Sequence, residues 1–577
     1  MILGIRPEDL EDAAEADGDR ARRRITAVVD IREDMGSEVF VHFGVRGPPV
    51  RGEDVKAAVG ADAVEASEEE ARKQGSLWVA RLGRGMRARE RDRIDLRWCQ
   101  PGCTSSIPTR ARDLRRVGLT ARAGDRVPAV LDPKVFKAYD IRGIHPAELD
   151  EDGAYRIGRA YVEQFEPRKI AVGHDMRVSS PAMAGAFVRG ASEAGADVLE
   201  LGLVGTEMVY FAVGALELDG GAEITASHNP KEYTGIKIVR RGALPVGGES
   251  GLLDIRDRAL SLGDTSGGQT PGQVEKHDVW PAYVDRVLSF VDVSAIKPLR
   301  VVIDAANGMA GVMLPPVLER LPIDAVPYYF EPDGTFPNHE PNPLLPENRE
   351  FIIERTTSEG ADFGVAFDGD ADRCFFVDDR GEFVPGDFVT ALFAESILEK
   401  QPGSKVIYDL RASWAVPETV EAAGGTPLVN RVGHAFIKQR MREDDAAFGG
   451  EVSGHYYFRE FTQADSGVVP FLLMLELVSR RGQKLSEILR PFRERYFITG
   501  ELNTPVPDVD AKLDALEERF GREGEVSHLD GISVDADDWH FNVRPSNTEP
   551  LLRLNLEARS EELMERKRDE VLDVIRG

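Results

Sequence analysis

The stretch Ala222-Glu-Ile-Thr-Ala-Ser-His-Asn-Pro-Lys-Glu-Tyr-Thr-Gly-Ile-Lys-Ile-Val239 decides how the chain is read. Residues 222–224 close a strand, 225–230 make a tight polar loop, and 235–239 form a second strand. Pro230 keeps Asn229 out of helical geometry, so Ser227 is expected at an exposed loop tip with His228 beside it. A serine so placed is a candidate nucleophile, and the imidazole a candidate proton carrier. Ser, Asn and Pro also build ordinary turns, and the loop alone leaves both readings open.

Outward from this loop the chain repeats itself. Lys169-Ile-Ala-Val-Gly-His-Asp175, Arg300-Val-Val-Ile-Asp304 and Lys405-Val-Ile-Tyr-Asp409 each read as a basic residue, a buried strand and a terminal Asp. Each is followed by a helical stretch and a second strand, over 196–202, 323–330 and 424–432. The intervals are too long for a solenoid and fit three copies of one α/β domain. The tail differs: a helix over 511–520, strands over 531–535, 539–544 and 551–558, and a charged helix over 561–575 predict an α+β domain.

Composition bounds the rest. A chain of 577 residues is long enough for roughly four domains, and 42% apolar residues can fill several cores. The net charge of −28 argues against general nucleic-acid binding and requires any phosphate site to concentrate its Arg and Lys locally. No apolar run has the length of a membrane span, the N-terminus lacks the regions of a signal peptide, and three cysteines give no disulfide framework. The expected location is the cytoplasm.

Three more loops carry chemistry. Asp368-Gly-Asp-Ala-Asp-Arg373 follows an apolar strand, and alternate carboxylates there can converge on one hard cation such as Mg2+. An EF-hand needs Gly at the sixth loop position and Glu at the twelfth, where this chain has Arg373 and Asp379. An aspartyl-phosphate phosphatase would use one Asp as nucleophile, which the other carboxylates and the separate serine loop disfavour. A solvated acidic turn is the plain structural alternative. Gly449-Gly-Glu-Val-Ser-Gly-His455 offers Glu451 and Ser453 to paired hydroxyls, and alone it is a weak signal. Arg544-Pro-Ser-Asn-Thr548, with Arg553 beyond it, supplies a cation, hydroxyls, an amide and free N–H groups, as a phosphate requires; alone it also suits a turn.

Taken together and in this order, one per domain, the four loops resemble the α-D-phosphohexomutase superfamily, specifically its bacterial phosphomannomutase/phosphoglucomutase group. Phe136-Lys-Ala-Tyr-Asp-Ile-Arg-Gly143 matches the family's opening segment and Arg431-Val-Gly-His434 its sugar-contact loop, with Val432 where Thr is more usual. The resemblance implies an isomerase with three similar α/β domains and a C-terminal α+β domain around a central cleft. Ser227 would carry a phosphoryl group. Asp368, Asp370 and Asp372, with a phosphoserine oxygen, would hold Mg2+, and Arg373 would offset charge. Hexose 6-phosphate and hexose 1-phosphate, of mannose or glucose, would interconvert through a hexose 1,6-bisphosphate that also serves as activator. Arg544, Ser546, Asn547, Thr548 and Arg553 would hold the non-reacting phosphate; Glu451, Ser453, Gly433 and His434 would grip hydroxyls; Tyr139, Arg142 and Arg411 would line the cleft. His228 and His455 are the candidates for proton transfer. A catalytically silent sugar-phosphate sensor is the alternative.

The N-terminus reads differently. Strands over 25–31, 38–45 and 77–82 suit a small β-barrel-like domain. Leu3-Gly-Ile-Arg-Pro-Glu-Asp9 and Gly36-Ser-Glu-Val-Phe-Val-His42 resemble the accessory oligonucleotide-fold domain of maltose-type sugar importer ATPases, without any phosphate-binding loop of an ATPase. That implies a vestigial link to an ABC sugar importer. Residues 98–108, under one permitted codon choice read one base out of frame, resemble the usual ending of that domain. Residues 1–130 are therefore read as a functional domain or as the product of a frameshift. The expected organisation is 1–98 importer-type β domain, 99–133 Arg-rich junction with Cys99 and Cys103, 134–290 serine-loop domain, 291–400 metal-loop domain, 401–495 sugar-loop domain and 496–577 phosphate-loop domain.

Overall fold

A computed structural model describes residues 10–12, 23–34, 38–45, 76–83, 93–98, 131–262, 270–546 and 551–577. The chain divides into two compact units, Met1–Asp125 and Arg126–Gly577. In the first, five antiparallel strands lie in the order Leu10–Asp12, Arg93–Trp98, Arg23–Asp34, Glu38–Val45, Ser76–Gly83. The three strands expected there coincide with three of these, while Cys99 and Cys103 lie outside the described residues.

The second unit begins before the expected domain start at 134. Leu131 bridges Leu149, and the Asp132 N–H donates to the Glu148 carbonyl at 2.8 Å. Leu131 packs against the first domain's core, so the end of the expected junction belongs to the folded body.

The sequence repeat is a repeat of topology. Lys169–His174, Arg300–Asp304 and Lys405–Asp409 are each an interior strand of a sheet. Each is flanked in parallel by a second strand, Asp197–Leu203, Asp324–Tyr328 or Thr426–Asn430. On its other side lies a parallel third strand, Gly220–Ile224, Phe363–Phe367 or Phe448–Gly450. A fourth strand then returns antiparallel: Tyr233–Arg240, Cys374–Asp378 or Tyr456–Phe458. Every residue of the three third strands is buried, as strands covered on both faces must be. The serine loop, the carboxylate loop and the Glu451 loop are the same connection, third strand to fourth, in three copies of one domain.

The C-terminal sheet is antiparallel, with the central strands Leu551–Ala558, Trp539–Pro545 and Ile532–Asp535. Helices Val509–Phe520 and Glu561–Arg576 close over a core of its own that includes Leu516, Phe520, Phe541, Leu554 and Val571. The sequence reading missed the short strands Leu502–Pro505 and Glu525–Ser527; both have exposed residues and no alternation to betray them.

Buried polar contacts fix the α/β domains to one another. Glu207, on the helix Thr206–Ala215, is fully buried. It accepts from Tyr283 Oη and from the N–H groups of Gly467 at 2.7 Å and Val468 at 3.4 Å, at the start of the third domain's helix Val468–Arg481. Burial pushes its carboxyl up to about 7, against the hydrogen bonds that lower it. The folded state thus holds this proton more tightly than the unfolded chain does, and stability from Glu207 is lost as pH rises from about 4.5 to about 7. Thermal unfolding of wild type and Glu207→Gln is expected to show the variant gaining on the wild type between pH 5 and pH 8, by about 1–3 kcal/mol; a constant difference would contradict the assignment.

Candidate active site

Ser227 sits in the left-handed region, with φ of 48°, a conformation that costs a non-glycine residue about 1 kcal/mol or more unless its surroundings impose it. Those surroundings are visible. The Arg177 guanidinium is almost wholly buried and donates to the carbonyls of Ser227 (2.7 Å), Asn229 (2.6 Å), Pro230 (2.7 Å) and Tyr233 (3.2 Å). The Ser227 N–H donates to Thr225 Oγ1 at 2.8 Å, and Arg142 donates to the Thr225 carbonyl. The expected exposed tip is corrected: Ser227 is 3% accessible. The loop inserts against the carboxylate loop so closely that a Cβ on Gly369 would stand 2.3 Å from the Ser227 carbonyl oxygen.

Ser227 Oγ donates to Asp368 Oδ2 at 2.8 Å, and His228 Nδ1 is 3.2 Å from the same Oγ. Desolvation, reinforced by the Arg373 and Arg142 charges, pushes the His228 imidazole well below the usual histidine range. Arg373 Nε lies 3.7 Å from Asp368 Oδ2.

Asp368, Asp370 and Asp372 are all buried, and an oxygen of each lies within 4.8 Å of the others. Burial and the two neighbouring carboxylates push Asp368 well above the ordinary carboxylate range. Asp370 goes the other way: against the cost of burial, the Lys237 ammonium holds it low. Lys237 Nζ is 2.6 Å from Asp370 Oδ2 and also contacts Asp372 Oδ2, while Thr206 Oγ1 donates to Asp370. Asp370 Oδ1 and Asp372 Oδ1 remain buried without a hydrogen-bond partner among the described residues. Unpaired anionic oxygens beside a hydroxyl oxygen are hard donors, and the set fits a hard divalent cation.

The third domain adds His455, whose Nδ1 is 3.1 Å from Asp465 Oδ2 and 3.9 Å from Asp372 Oδ1. Asp465 pairs in turn with the buried Lys438 at 2.6 Å. His434 stacks toward His455 at 6.1 Å and meets Tyr139 edge-on at 5.6 Å. Glu451 accepts from the Gly433 N–H at 2.9 Å and from Tyr457 Oη. Gly433 has φ of 127°, and a Cβ there would stand 2.9 Å from Tyr139 Oη, so the position suits glycine alone. Ser453 is half-buried at the turn of the same loop.

Arg411 is gripped through Nε and Nη2 by Asp409, at 2.9 and 3.0 Å. Arg544 and Arg553 are opposite one another on neighbouring strands. Glu501 joins all three arginines, at 3.4 Å from Arg411, 3.1 Å from Arg544 and 3.0 Å from Arg553. Arg553 also donates to Ser546 Oγ at 3.3 Å. Asn547 and Thr548 lie outside the described residues.

The carboxylate loop therefore touches both the serine loop and the Glu451 loop, and the fourth loop reaches the third domain through Glu501 and Arg411. Sequence reasoning missed Lys237, Arg177, Asp465, Lys438 and Glu501. Lys237 left a signal: a charge inside an apolar strand needs an opposite charge nearby.

Comparison with known proteins gives the chain's family. Family models for phosphoglucomutase/phosphomannomutase match at alpha/beta/alpha domain I over residues 133–259, domain II over 281–381, domain III over 385–496, and the C-terminal domain over 501–574. A phosphomannomutase of Salmonella montevideo is 44% identical over 449 residues, covering 76% of this chain and 98% of its own. Phosphohexose mutases of Xanthomonas campestris are 45% identical over 444 residues, covering 77% and 99%. The crystal structure of a phosphoglucomutase/phosphomannomutase family protein from Burkholderia thailandensis superposes with a TM-score of 0.70 at 33% identity, covering 77% of this chain and 97% of that one. The chain belongs to the phosphoglucomutase/phosphomannomutase family and is a phosphohexomutase, an isomerase that acts as an intramolecular phosphotransferase.

Proposed function

We propose that the chain interconverts hexose 6-phosphate and hexose 1-phosphate, of mannose and glucose, with Ser227 as the phosphoryl carrier. The observation that carries this is Ser227 Oγ, held by a clamped backbone at 2.8 Å from Asp368 inside a three-carboxylate cluster. A mere sugar-phosphate sensor would have no use for a desolvated serine in that place. Phosphoserine gives its group to the free hydroxyl of a bound hexose phosphate, the resulting 1,6-bisphosphate turns over in a cleft among the domains, and the other phosphate returns to Ser227.

The residues divide the work. Asp368, Asp370 and Asp372, with an oxygen of the phosphoserine, would hold Mg2+, which supplies charge neutralisation and orientation for phosphoryl transfer. Lys237 and Arg373 place further positive charge at the same spot. His455, oriented by Asp465, and His228 are the groups placed to move the hydroxyl proton. Glu451, Ser453, Gly433 and His434 grip hydroxyls, Tyr139, Arg142 and Arg411 line the cleft, and Arg544, Ser546, Asn547, Thr548 and Arg553 hold the non-reacting phosphate. The family relatives named phosphomannomutase support mannose phosphate among the substrates.

Residues 1–98 are read, from the resemblance of residues 3–9 and 36–42 alone, as an importer-type accessory domain. No described helix is long and apolar enough to cross a membrane, and the proposed setting is the cytoplasm.

Coupled assays on mannose 1-phosphate and glucose 1-phosphate are expected to show turnover of both that requires Mg2+. Ser227→Ala is expected to lose nearly all of it, about a thousandfold or more, with an unchanged melting temperature because Arg177 still clamps the backbone. Retained activity would remove Ser227 from the role. Asp370→Asn is expected to slow turnover by orders of magnitude and raise the Mg2+ concentration needed for half activity. It should also destabilise the protein, since the buried Lys237 loses one of its two anions, contrary to the relief of repulsion expected from three clustered carboxylates alone. An unaltered Mg2+ dependence would move the cation elsewhere.

A further inference from the structure

The arginine cluster at the junction of the third and fourth domains already holds an anion of its own. Glu501 stands just before the strand Leu502–Pro505, at the start of the C-terminal domain, with its side chain 24% accessible. One oxygen lies 3.0 Å from Arg553, and the other lies 3.1 Å from Arg544 and 3.4 Å from Arg411. Arg411 has a second carboxylate, Asp409. For Arg544 and Arg553, Glu501 is the carboxylate partner among the described residues. The Nε atoms of both are buried with no hydrogen-bond partner among those residues. Among the described residues, Glu501 and Asp409 pair with the three guanidinium groups directly, while Glu451 and Asp530 add negative charge near Arg411 and Arg544.

Carboxylate and phosphate bind guanidinium through the same forked geometry. Glu501 therefore occupies donor edges that phosphate oxygens would use. We propose that Glu501 is an internal competitor for the phosphate of the ligand, occupying the arginines in its absence and holding their affinity for phosphate down. The role rests on the reaction proposed above only for the identity of the ligand. It answers a need of that reaction, in which one site must bind a phosphate firmly and then release it so that the bisphosphate can present its other end. A cluster without Glu501 would bind the intermediate too tightly to let it turn.

Calorimetric titration of the full-length protein with inorganic phosphate tests this. Glu501→Gln keeps the shape and removes the charge, and it is expected to bind inorganic phosphate about tenfold more tightly than wild type. Glu501→Asp keeps the charge but shortens the reach, and it should show a smaller tightening of the same sign. That variant keeps the test decisive if the glutamine variant fails to fold. In turnover, KM and kcat should fall together in Glu501→Gln. Unchanged or weaker phosphate binding, or a raised KM with an unaltered kcat, would show that Glu501 only orients the arginines and would overturn the proposal. Phosphate binding is read without turnover. Tighter binding in a protein that does not isomerise hexose phosphates would keep this inference and sink the proposed reaction, and isomerisation with unchanged phosphate affinity would do the reverse.

Discussion

Four ionisable groups with almost no access to water govern this molecule: Asp368, Asp370 and Asp372 in one loop, and Lys237 from the neighbouring domain. An uncompensated buried charge costs several kcal/mol, so the carboxylate loop and the strand Tyr233–Arg240 hold their places only together. The same strand follows the serine loop, and Arg177 ties that loop down from a third direction. The pairing that makes the fold self-consistent therefore also delivers the serine hydroxyl to a carboxylate oxygen. Structure and chemistry here draw on one set of contacts.

Repetition explains how such a site arises from a modest sequence pattern. In each α/β domain the connection from the third to the fourth strand leaves the sheet at the same place. One copy carries a serine, one a trio of carboxylates, and one a glutamate and an imidazole. Three copies of this edge bring a serine hydroxyl, a carboxylate cluster and a glutamate–imidazole loop into one body without any domain having to hold all three. The C-terminal domain, with its own core and a polar junction through Glu501, Glu557 and Arg559, adds the arginines from outside that arrangement.

Much of this was legible in the residues. The apolar runs after Lys169, Arg300 and Lys405 are strands buried on both faces, and such strands advertise themselves. The four loops were legible because each concentrates residue types that have few purely structural uses together. What stayed hidden depends on distance in space. Ser227 is read as exposed because its own neighbours make a turn; the carboxylate loop of another domain and the Arg177 guanidinium pack against it in the folded body. Lys438 and Asp465 lie in unrelated elements, and no local pattern links them to His455. Glu501 follows a glycine in a polar stretch, and nothing short of the folded junction gives it three arginines.

The proposed reaction stands or falls with Ser227 as the carrier of a phosphoryl group. Its most direct test is intact-mass and peptide mass spectrometry of the protein after incubation with a hexose 1,6-bisphosphate and Mg2+. One added phosphate is expected, located on Ser227 and discharged by excess hexose monophosphate. Phosphate on a different residue, or isomerisation by a protein that never acquires it, would rule Ser227 out as the carrier.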